Sequence, residues 1–274
     1  MPGTTLTVFR SRTADRNPRA MRGAVAVGTQ LAARLGLPIQ YCGEFEEPLG
    51  TDWKTELEAA RPVLQRLGRM LDSILSEDRV ALTTLGRCAS SIATLPVVAR
   101  HRSDALIVWF DAHGDSNLPE TTAMAYLGGM VLTGASGRWN TGLGADLDIK
   151  NVVLVGSRDL DPDERELVAS GVLTVVPPGP DLADELGELI GDRPVYIHLD
   201  CDVLDPGIVP TEYRVPGGLS LIDLERAAAR LARNPLIGLE IAEFESEWVE
   251  NGQAGEPDRI VSALWPLLGP LKAS

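Results

Sequence analysis

Two carboxylates stand close together where an apolar run of the sequence ends. Asp200 and Asp202 follow Val195–Leu199, a run typical of a buried strand. Side chains alternate between the two faces of a strand, so the two carboxylates would share one face and Cys201 would point to the other. Buried neighbouring carboxylates repel each other unless a positive charge neutralises them. The segment indicates a cation site, and a helix cap or turn is the plainer alternative.

A second acidic segment offers more ligands of the same kind. Asp111, His113 and Asp115 follow the apolar run 105–110 and would also share a face if the chain stays extended. Several carboxylates with one imidazole favour Mn²⁺ or another octahedral ion over a structural zinc. The carboxylates are numerous enough to bridge two metal ions, an arrangement that activates water.

Strands and helices alternate along the chain and would bring these segments together. The predicted strands are Leu6–Phe9, Ile39–Cys42, Val80–Leu85, Leu106–Phe110, Val152–Val155, Leu173–Val176, Val195–Leu199 and Ile237–Phe244. The predicted helices are Asn17–Leu35, Lys54–Leu75, Ser90–Arg100, Pro162–Ser170, Leu182–Ile190, Leu221–Ala232 and Asp258–Leu271, with a loop at Gly134–Gly144. This alternation predicts an α/β fold: one three-layer α/β/α domain over residues 1–274, with an eight-stranded, mainly parallel sheet. Ligands of such folds bind outside the carboxyl ends of the strands, where both acidic segments fall.

Composition narrows the classes of partner. The 274 residues carry a formal net charge of −14, which argues against nucleic acid and anionic membranes. Three cysteines fit a reducing compartment without a disulfide framework, so we expect a cytoplasmic protein. The first residues lack the pattern of a signal peptide, and no apolar run is long enough to span a bilayer.

The two acidic segments also carry a family resemblance. DAHGD at 111–115, followed by Ser116-Asn117, and HLDCDVLDP at 198–206 resemble the metal motifs of the arginase-type ureohydrolases. GSRDLDP at 156–162 and PGGL at 216–219 match as well, and the motifs stand in the family's order from Thr4 to about Leu268. The resemblance implies an arginase-like fold, two Mn²⁺ ions and hydrolysis at a guanidino carbon by a metal-bridging hydroxide.

The resemblance assigns metal-binding roles residue by residue. The positions that match the family's ligands are Asp111, His113, Asp115, Asp200 and Asp202. Asp111 and Asp200 would bridge the two ions. Asp115 would complete the ligands of the first ion, and His113 and Asp202 those of the second. Asp115 and Glu243 are the residues that the resemblance places in catalysis.

Two positions depart from the family's pattern. A ligand histidine in a Gly-Gly-Asp-His-Ser turn corresponds to Cys88 in Leu85-Gly86-Arg87-Cys88-Ala89, so Cys88 is a candidate ligand or else a buried structural thiol. A thiolate adds negative charge and should weaken the Lewis acidity of the cluster. A proton-shuttling histidine corresponds to Gly128, and no evident residue replaces it. His198 is open to two interpretations, a partner of a ligand or a packed core histidine.

The substrate-binding candidates follow from the same resemblance. Glu243 matches the carboxylate that grips the guanidinium, although an exposed strand residue is the alternative. Asn117 matches a residue near the α-carboxylate, and Asp161 and Glu164 match residues that contact the α-amino group. Asp161-Pro162 is also a good start for a helix. The segments Thr121–Met124 and Tyr213–Val215 depart from the family's substrate contacts.

The two departures favour a particular substrate. Without a shuttle an alkylamine leaves poorly, whereas an N-hydroxyguanidine is less basic and its hydroxyl could relay a proton. Cys88 and Gly128 together resemble family members that convert Nω-hydroxy-L-arginine to hydroxyurea and L-ornithine in antibiotic biosynthesis. An arginase or agmatinase with an altered ligand, or an inactive ureohydrolase-like binding protein, are the alternatives. The short stretch after Glu243 favours a monomer whose partner is a small guanidino amino acid.

Overall fold

The computed structural model describes residues 3–122 and 125–272 of the chain, and an eight-stranded sheet forms its centre. The strands are β1 (Thr4–Phe9), β2 (Ile39–Cys42), β3 (Val80–Thr84), β4 (Leu106–Phe110), β5 (Val152–Val155), β6 (Thr174–Val176), β7 (Val195–Asp200) and β8 (Leu236–Ala242). Their order across the sheet is β2-β1-β3-β8-β7-β4-β5-β6, and every neighbouring pair is parallel. The predicted α/β fold with eight strands is confirmed.

Helices cover both faces of this sheet. They are α1 (Arg19–Leu35), α2 (Trp53–Ser76), α3 (Leu95–His101), α4 (Val131–Ala135), α5 (Pro162–Ala169), α6 (Leu182–Ile190), α7 (Leu221–Leu231), α8 (Pro257–Ala263) and α9 (Trp265–Leu268). Consecutive residues of β4 alternate between the two layers: Trp109 belongs to the apolar cluster with α2 and α3, and Val108 to the cluster with α1, α6 and α7. Because both faces are covered, β3, β4 and β7 are buried at every position.

The strand boundaries agree with the predictions to within about two residues, but some helices differ. The predicted helix Ser90–Arg100 is a 3₁₀ turn, Cys88–Ile92, followed by α3. The predicted helix Asp258–Leu271 is divided into α8, α9 and a 3₁₀ turn. Pro96, Pro266 and Pro270 each lie in the first turn of the element that follows a break, where proline is tolerated best, although Pro62 is accommodated inside α2. The predicted loop at 134–144 starts inside α4.

The strand order sets the position of the functional segments. β3, β8, β7 and β4 are consecutive in the centre of the sheet, although they are far apart in sequence. The carboxyl ends of these four strands therefore lie side by side, and the segments around Cys88, Glu243, Asp200 and Asp111 begin there. None of the helices in the described ranges combines the length and the apolar character that a bilayer crossing requires.

Candidate metal centre and substrate cavity

Turns, rather than extended strands, bring the acidic side chains together. Asp115 adopts the left-handed region, with a φ of 45°, so the chain after β4 folds back instead of staying extended. Asp200 is the last residue of β7, and its Oδ1 accepts a hydrogen bond of 2.7 Å from the amide of Asp202 across the 3₁₀ turn Cys201–Val203. The carboxylates converge as expected, but the alternation of an extended strand is not the reason.

The possible ligand atoms fall into three overlapping groups, within each of which they lie no more than 4.8 Å apart. These groups are Cys88, Asp111 and Asp115; Asp111, His113 and Asp202; and Cys88, Asp200 and Glu243. Asp111 belongs to the first two groups, which is the arrangement that a shared ligand between two ions requires. The Nδ1 atom of His113 lies 3.1 Å from Asp111 Oδ1 and 3.2 Å from Asp202 Oδ2.

The buried carboxylates of this cluster repel one another, and a bound cation would reduce that repulsion. Burial, and then the charge of neighbouring carboxylates, raise the pKa of Asp115 and of Asp200 well above the usual range for aspartate. The pKa of Asp202 is raised for the same two reasons. Burial opposes ionisation of Asp111 too, but hydrogen bonds and charge from His113 hold its pKa below the usual value. Cations bound among these oxygens would relieve the repulsion, so the donor set fits hard divalent metal ions.

Cys88 points into the same cluster. Its Sγ lies 2.9 Å from Asp200 Oδ2 and 3.1 Å from His198 Nε2, and the residue is buried. Burial, followed by the charge of Asp200, raises the pKa of the thiol well above its usual value. The two interpretations of Cys88 are therefore compatible: the thiol is buried, and its sulfur lies among the ligand atoms.

His198 also satisfies both interpretations from the sequence. It is fully buried and stacks on Trp109 with ring centroids 3.6 Å apart. Its Nδ1 lies 3.1 Å from Glu240 Oε2, while its Nε2 faces Cys88. Sequence reasoning missed Glu240 and Trp109, whose Nε1 donates to Asp111 Oδ2 at 3.0 Å. An acidic residue inside the apolar run of β8 was the available signal for Glu240.

Glu243 lies just after β8 and is buried, so the alternative of an exposed strand residue is wrong. A left-handed φ of 61° aims its side chain at the cluster. Its Oε1 accepts from the amide of Cys88 at 3.0 Å, and its Oε2 accepts from Arg87 Nη1 at 2.6 Å. Burial raises the pKa of Glu243 to about 7, although Arg87 opposes this effect. Arg87 was also missed by sequence reasoning.

A second polar group faces the cavity from the α5 side. Asn117 Nδ2 donates to Asp161 Oδ2 at 2.9 Å. Glu164 Oε2 accepts from the amide of Asp161 at 2.9 Å, and its Oε1 accepts from the amide of Ser116 at 2.8 Å. Asp161 and Glu164 thus form the expected helix start and line the cavity as well. Within the described ranges the buried Oδ1 of Asn117 has no hydrogen-bond partner.

These groups enclose one cavity of about 280 Å³. Its lining residues are Cys88, His113, Asp115, Asn117, Thr122, Tyr126, Gly128, Gly129, Asp159, Asp161, Glu164, Asp200, Asp202, Tyr213 and Glu243. Tyr213 meets the ring of His113 edge-on, with centroids 5.5 Å apart, and Tyr126 lies beside Tyr213. Of the sequence segment Thr121–Met124, residues 123 and 124 lie outside the described ranges.

A larger cavity, about 570 Å³, opens on the other side of the sheet, at the amino ends of the strands. It lies against the amino ends of β3 and β8, and its charged lining residues Arg79 and Arg102 pair with nearby acids, Glu77 and Asp104. The smaller cavity is therefore the candidate site, because the ligand groups converge there.

Comparison with known proteins agrees with this geometry. Residues 4–255 match the model of the arginase family. The chain is 39% identical to the N(omega)-hydroxy-L-arginine amidinohydrolase of Streptomyces lavendulae over 94% of this chain and 96% of that protein. It is 28% identical to the arginase of Bacillus caldovelox over 95% and 92% of the two chains. The crystal structure of arginase from Bacillus subtilis superposes with a TM-score of 0.81 at 22% identity, covering 97% and 99% of the two chains. The chain is a member of the arginase family.

Proposed function

We propose that this protein is a dimanganese amidinohydrolase that converts Nω-hydroxy-L-arginine and water to hydroxyurea and L-ornithine. The observation that carries the proposal is the convergence of six possible metal ligands with Glu243 at the end of a cavity that has the polar side chains of Asn117, Asp161 and Glu164 along its wall. The similarity to the Streptomyces lavendulae protein, whose name specifies this substrate, supports the choice among guanidino amino acids. Antibiotic biosynthesis and a cytoplasmic location stay predictions from the sequence.

The residues would hold two ions through shared carboxylates. Cys88, Asp111 and Asp115 would surround one position, and His113 and Asp202 would join Asp111 around the other. Asp200, whose Oδ2 lies beside the sulfur of Cys88, would serve as the second shared ligand. The chemistry that Mn²⁺ supplies in such a site is Lewis acidity, which activates water for attack on a carbon such as that of a guanidino group.

Glu243 would orient the reacting end of the substrate. It belongs to one of the possible ligand groups, so its carboxylate lies within a few ångströms of the cluster. A guanidino N–H that donates to Glu243 would present its carbon to the metal centre, and this charge-assisted hydrogen bond would hold the group in place. Burial strengthens this interaction, because little water competes for the carboxylate.

The other end of the amino acid would bind near α5. Asp161 lines the cavity as an acceptor for an α-ammonium group. Asn117 donates one N–H of its Nδ2 to Asp161, which leaves the second N–H of this amide for a substrate oxygen. We therefore assign Asn117 to the α-carboxylate, the role that the sequence resemblance implies.

Two departures from the family's pattern support the choice of a hydroxylated substrate. Cys88 replaces a neutral imidazole by a group that adds negative charge as a thiolate, which would lower the Lewis acidity of the site. Tyr126 fills the space beside Gly128, since a Cβ built there would lie 2.4 Å from Tyr126 Cε1. A histidine at this position would require the ring of Tyr126 to move, and a substrate with a less basic guanidino group would need the shuttle less.

Metal content and product formation, measured together, test the proposal. Purified wild-type protein should contain two Mn²⁺ ions per chain and should release hydroxyurea from Nω-hydroxy-L-arginine faster than urea from L-arginine. The deficit with arginine should be about 10²–10⁴-fold, the usual contribution of general acid–base catalysis. The readouts are elemental analysis and chromatographic quantification of both products.

Two aspartate variants provide the comparison. Asp111→Ala should lose both metal and hydrolysis, because it removes the shared ligand. Asp192→Ala is the matched control, since Asp192 is exposed in the turn before β7, at the opposite end of the strand from Asp200, and should keep both. Full activity in metal-stripped wild type would exclude the proposal. Equal efficiency on the two substrates would make the protein an ordinary arginase.

A further inference from the structure

Arg87 is a buried cation next to the metal cluster. It precedes Cys88, and its side chain is 0% exposed. Four carboxylates lie within 4 Å of its guanidinium: Nη1 is 2.6 Å from Glu243 and Nε is 3.2 Å from Asp15, while Nη2 pairs with Glu212 and is 3.8 Å from Glu245. These acids come from loops that follow β1, β7 and β8. Arg87 thus connects most of the loops that surround the cavity.

The four carboxylates are not equivalent. Glu245 also pairs with Arg19 at 2.8 Å, Asp15 accepts from the amide of Thr13, and Glu212 accepts from the side chain of Asn17. Glu243 is the member of the four that lines the cavity with the ligand groups. Its second oxygen is occupied by the amide of Cys88. A substrate therefore meets a carboxylate that already binds a guanidinium of the protein.

We infer that Arg87 is a positioning residue that determines substrate specificity: by holding Glu243 and sharing its charge, it makes the site favour an uncharged guanidino group over a guanidinium. This inference rests on the proposed function, since it concerns the substrate of that site. An arginine side chain in a protein is always protonated, so the positive charge next to Glu243 is permanent.

Two cations that share one carboxylate repel each other, and burial strengthens the repulsion. L-Arginine would bring a second guanidinium to Glu243. An N-hydroxyguanidine is less basic, because its oxygen withdraws electrons, and it can bind without a charge. It still donates an N–H to Glu243, so it keeps the hydrogen bond and avoids the repulsion. The protein would therefore distinguish L-arginine from the N-hydroxyguanidine substrate in binding as well as in the departure of the amine.

Calorimetric titration of the metal-loaded protein tests the binding effect without using turnover. The probes are L-arginine, which is cationic, and L-citrulline, which has nearly the same shape and an uncharged urea group. Wild type should bind L-citrulline more tightly than L-arginine. Arg87→Gln should shift the ratio of the two dissociation constants toward L-arginine by about tenfold or more, since it removes a permanent charge a few ångströms away. Arg87→Lys should keep the wild-type ratio, because the charge stays.

Controls separate charge from structure. Arg19→Gln removes a charge from the same network but leaves the contact between Arg87 and Glu243 in place. Its ratio of the dissociation constants for L-arginine and L-citrulline should therefore stay near that of wild type. Arg87→Gln leaves several buried acids without a partner and could unfold. The double variant Arg87→Gln and Glu212→Gln removes one acid together with the cation, and its ratio should shift in the same direction. Circular dichroism would establish that each variant is folded.

The outcomes are distinguishable from those of the proposed function. Tighter binding of L-arginine than of L-citrulline by wild type overturns the inference without any variant. An unchanged ratio in a folded Arg87→Gln or double variant overturns it as well, even when hydroxyarginine is hydrolysed. Failure of wild type to hydrolyse hydroxyarginine contradicts the proposed function, whereas the two binding ratios still report on Arg87.

Discussion

Cys88 combines two interactions that its neighbours define. Its sulfur contacts Asp200, a possible shared ligand, and His198, which Glu240 holds from the other side. A change at this position would therefore alter both the charge of the cluster and a buried hydrogen-bond network. Arg87, the preceding residue, donates to Glu243 Oε2, and the amide of Cys88 donates to Glu243 Oε1. The two consecutive residues therefore hold one carboxylate between them.

Gly128 is the position at which a restored proton shuttle can be tested. Gly128→His alone would collide with Tyr126, because a Cβ at position 128 would lie 2.4 Å from Tyr126 Cε1, so that ring must move first. We expect Gly128→His combined with Tyr126→Ala to narrow the gap between arginine and hydroxyarginine. The gain on arginine should reach about tenfold or more, part of the usual contribution of acid–base catalysis. Steady-state kinetics with both substrates measure the gap.

Tyr126→Ala alone is the control for that experiment. It opens the same space without supplying a titratable group, so it should leave the preference for hydroxyarginine in place. If the single variant narrows the gap as much as the double variant does, the effect comes from space and the shuttle argument fails.

At the scale of elements, a buried polar network joins β7 to β8. Glu240 on β8 is fully buried and accepts from Tyr196 at 2.7 Å and from Ser91 at 2.8 Å, and it lies 3.1 Å from His198. Tyr196 and His198 belong to β7, and Ser91 belongs to the 3₁₀ turn after β3. One carboxylate thus fixes the elements that carry Cys88 and Asp200.

Glu240→Gln should destabilise the fold by about 1–3 kcal/mol, because an amide cannot accept from all of these donors and leaves a buried one unpaired. Urea denaturation of the metal-free protein gives the change in the free energy of unfolding. Glu185→Gln, on the exposed side of α6, makes the same chemical change and should stay within about 0.5 kcal/mol of wild type. Equal stability of the two variants would show that the network does not hold β7 to β8.

Most strands and their ends could be predicted because their sequences are mainly apolar and several are apolar on both faces. A residue such as Val108 or Trp109 stands in a run that only a buried parallel strand explains, and its boundary is marked by Asp111. Helix ends were harder to predict from the sequence. The helix α4 has only five residues and little periodicity, and Pro96 lies in the first turn of α3, later than the predicted start of that helix. Local propensity is weak for such short elements, and tertiary packing decides them.

The possible metal ligands could be inferred from residue type and position, but the residues that hold them in place could not. Asp111 and Asp200 follow strands, so their meeting needs only a parallel sheet. The role of Arg87 depends on its contact with Glu243, which lies 156 residues away in the sequence. The role of Glu240 depends on its contact with His198, which lies 42 residues away. Nothing local distinguishes Arg87 from a surface charge, whereas Glu240 stands out only as an acidic residue inside an apolar run. The position of Tyr126 beside Gly128 likewise appears only when the loop is folded.

At the scale of the whole molecule, we expect metal binding at the proposed cluster to stabilise the sheet. The possible ligands come from segments after β3, β4 and β7, which are hydrogen-bonded through the centre of the sheet. Without a cation, their buried carboxylates repel one another and oppose the compact state. A ligand that binds the folded protein alone stabilises it by mass action.

Chelation should therefore lower the thermal midpoint of the wild type, and added Mn²⁺ should restore it. At a metal concentration one hundred times the dissociation constant, one site contributes about 2.7 kcal/mol. In a chain of this size that free energy corresponds to a shift of roughly 5–10 °C. Differential scanning fluorimetry with and without chelator measures it. Asp111→Ala should lack the metal-dependent part of the shift, because it removes the ligand common to both positions, whereas Asp192→Ala should retain it. An unchanged midpoint in chelated wild type would mean that the carboxylates are accommodated without a cation, and the argument from their repulsion would then be wrong.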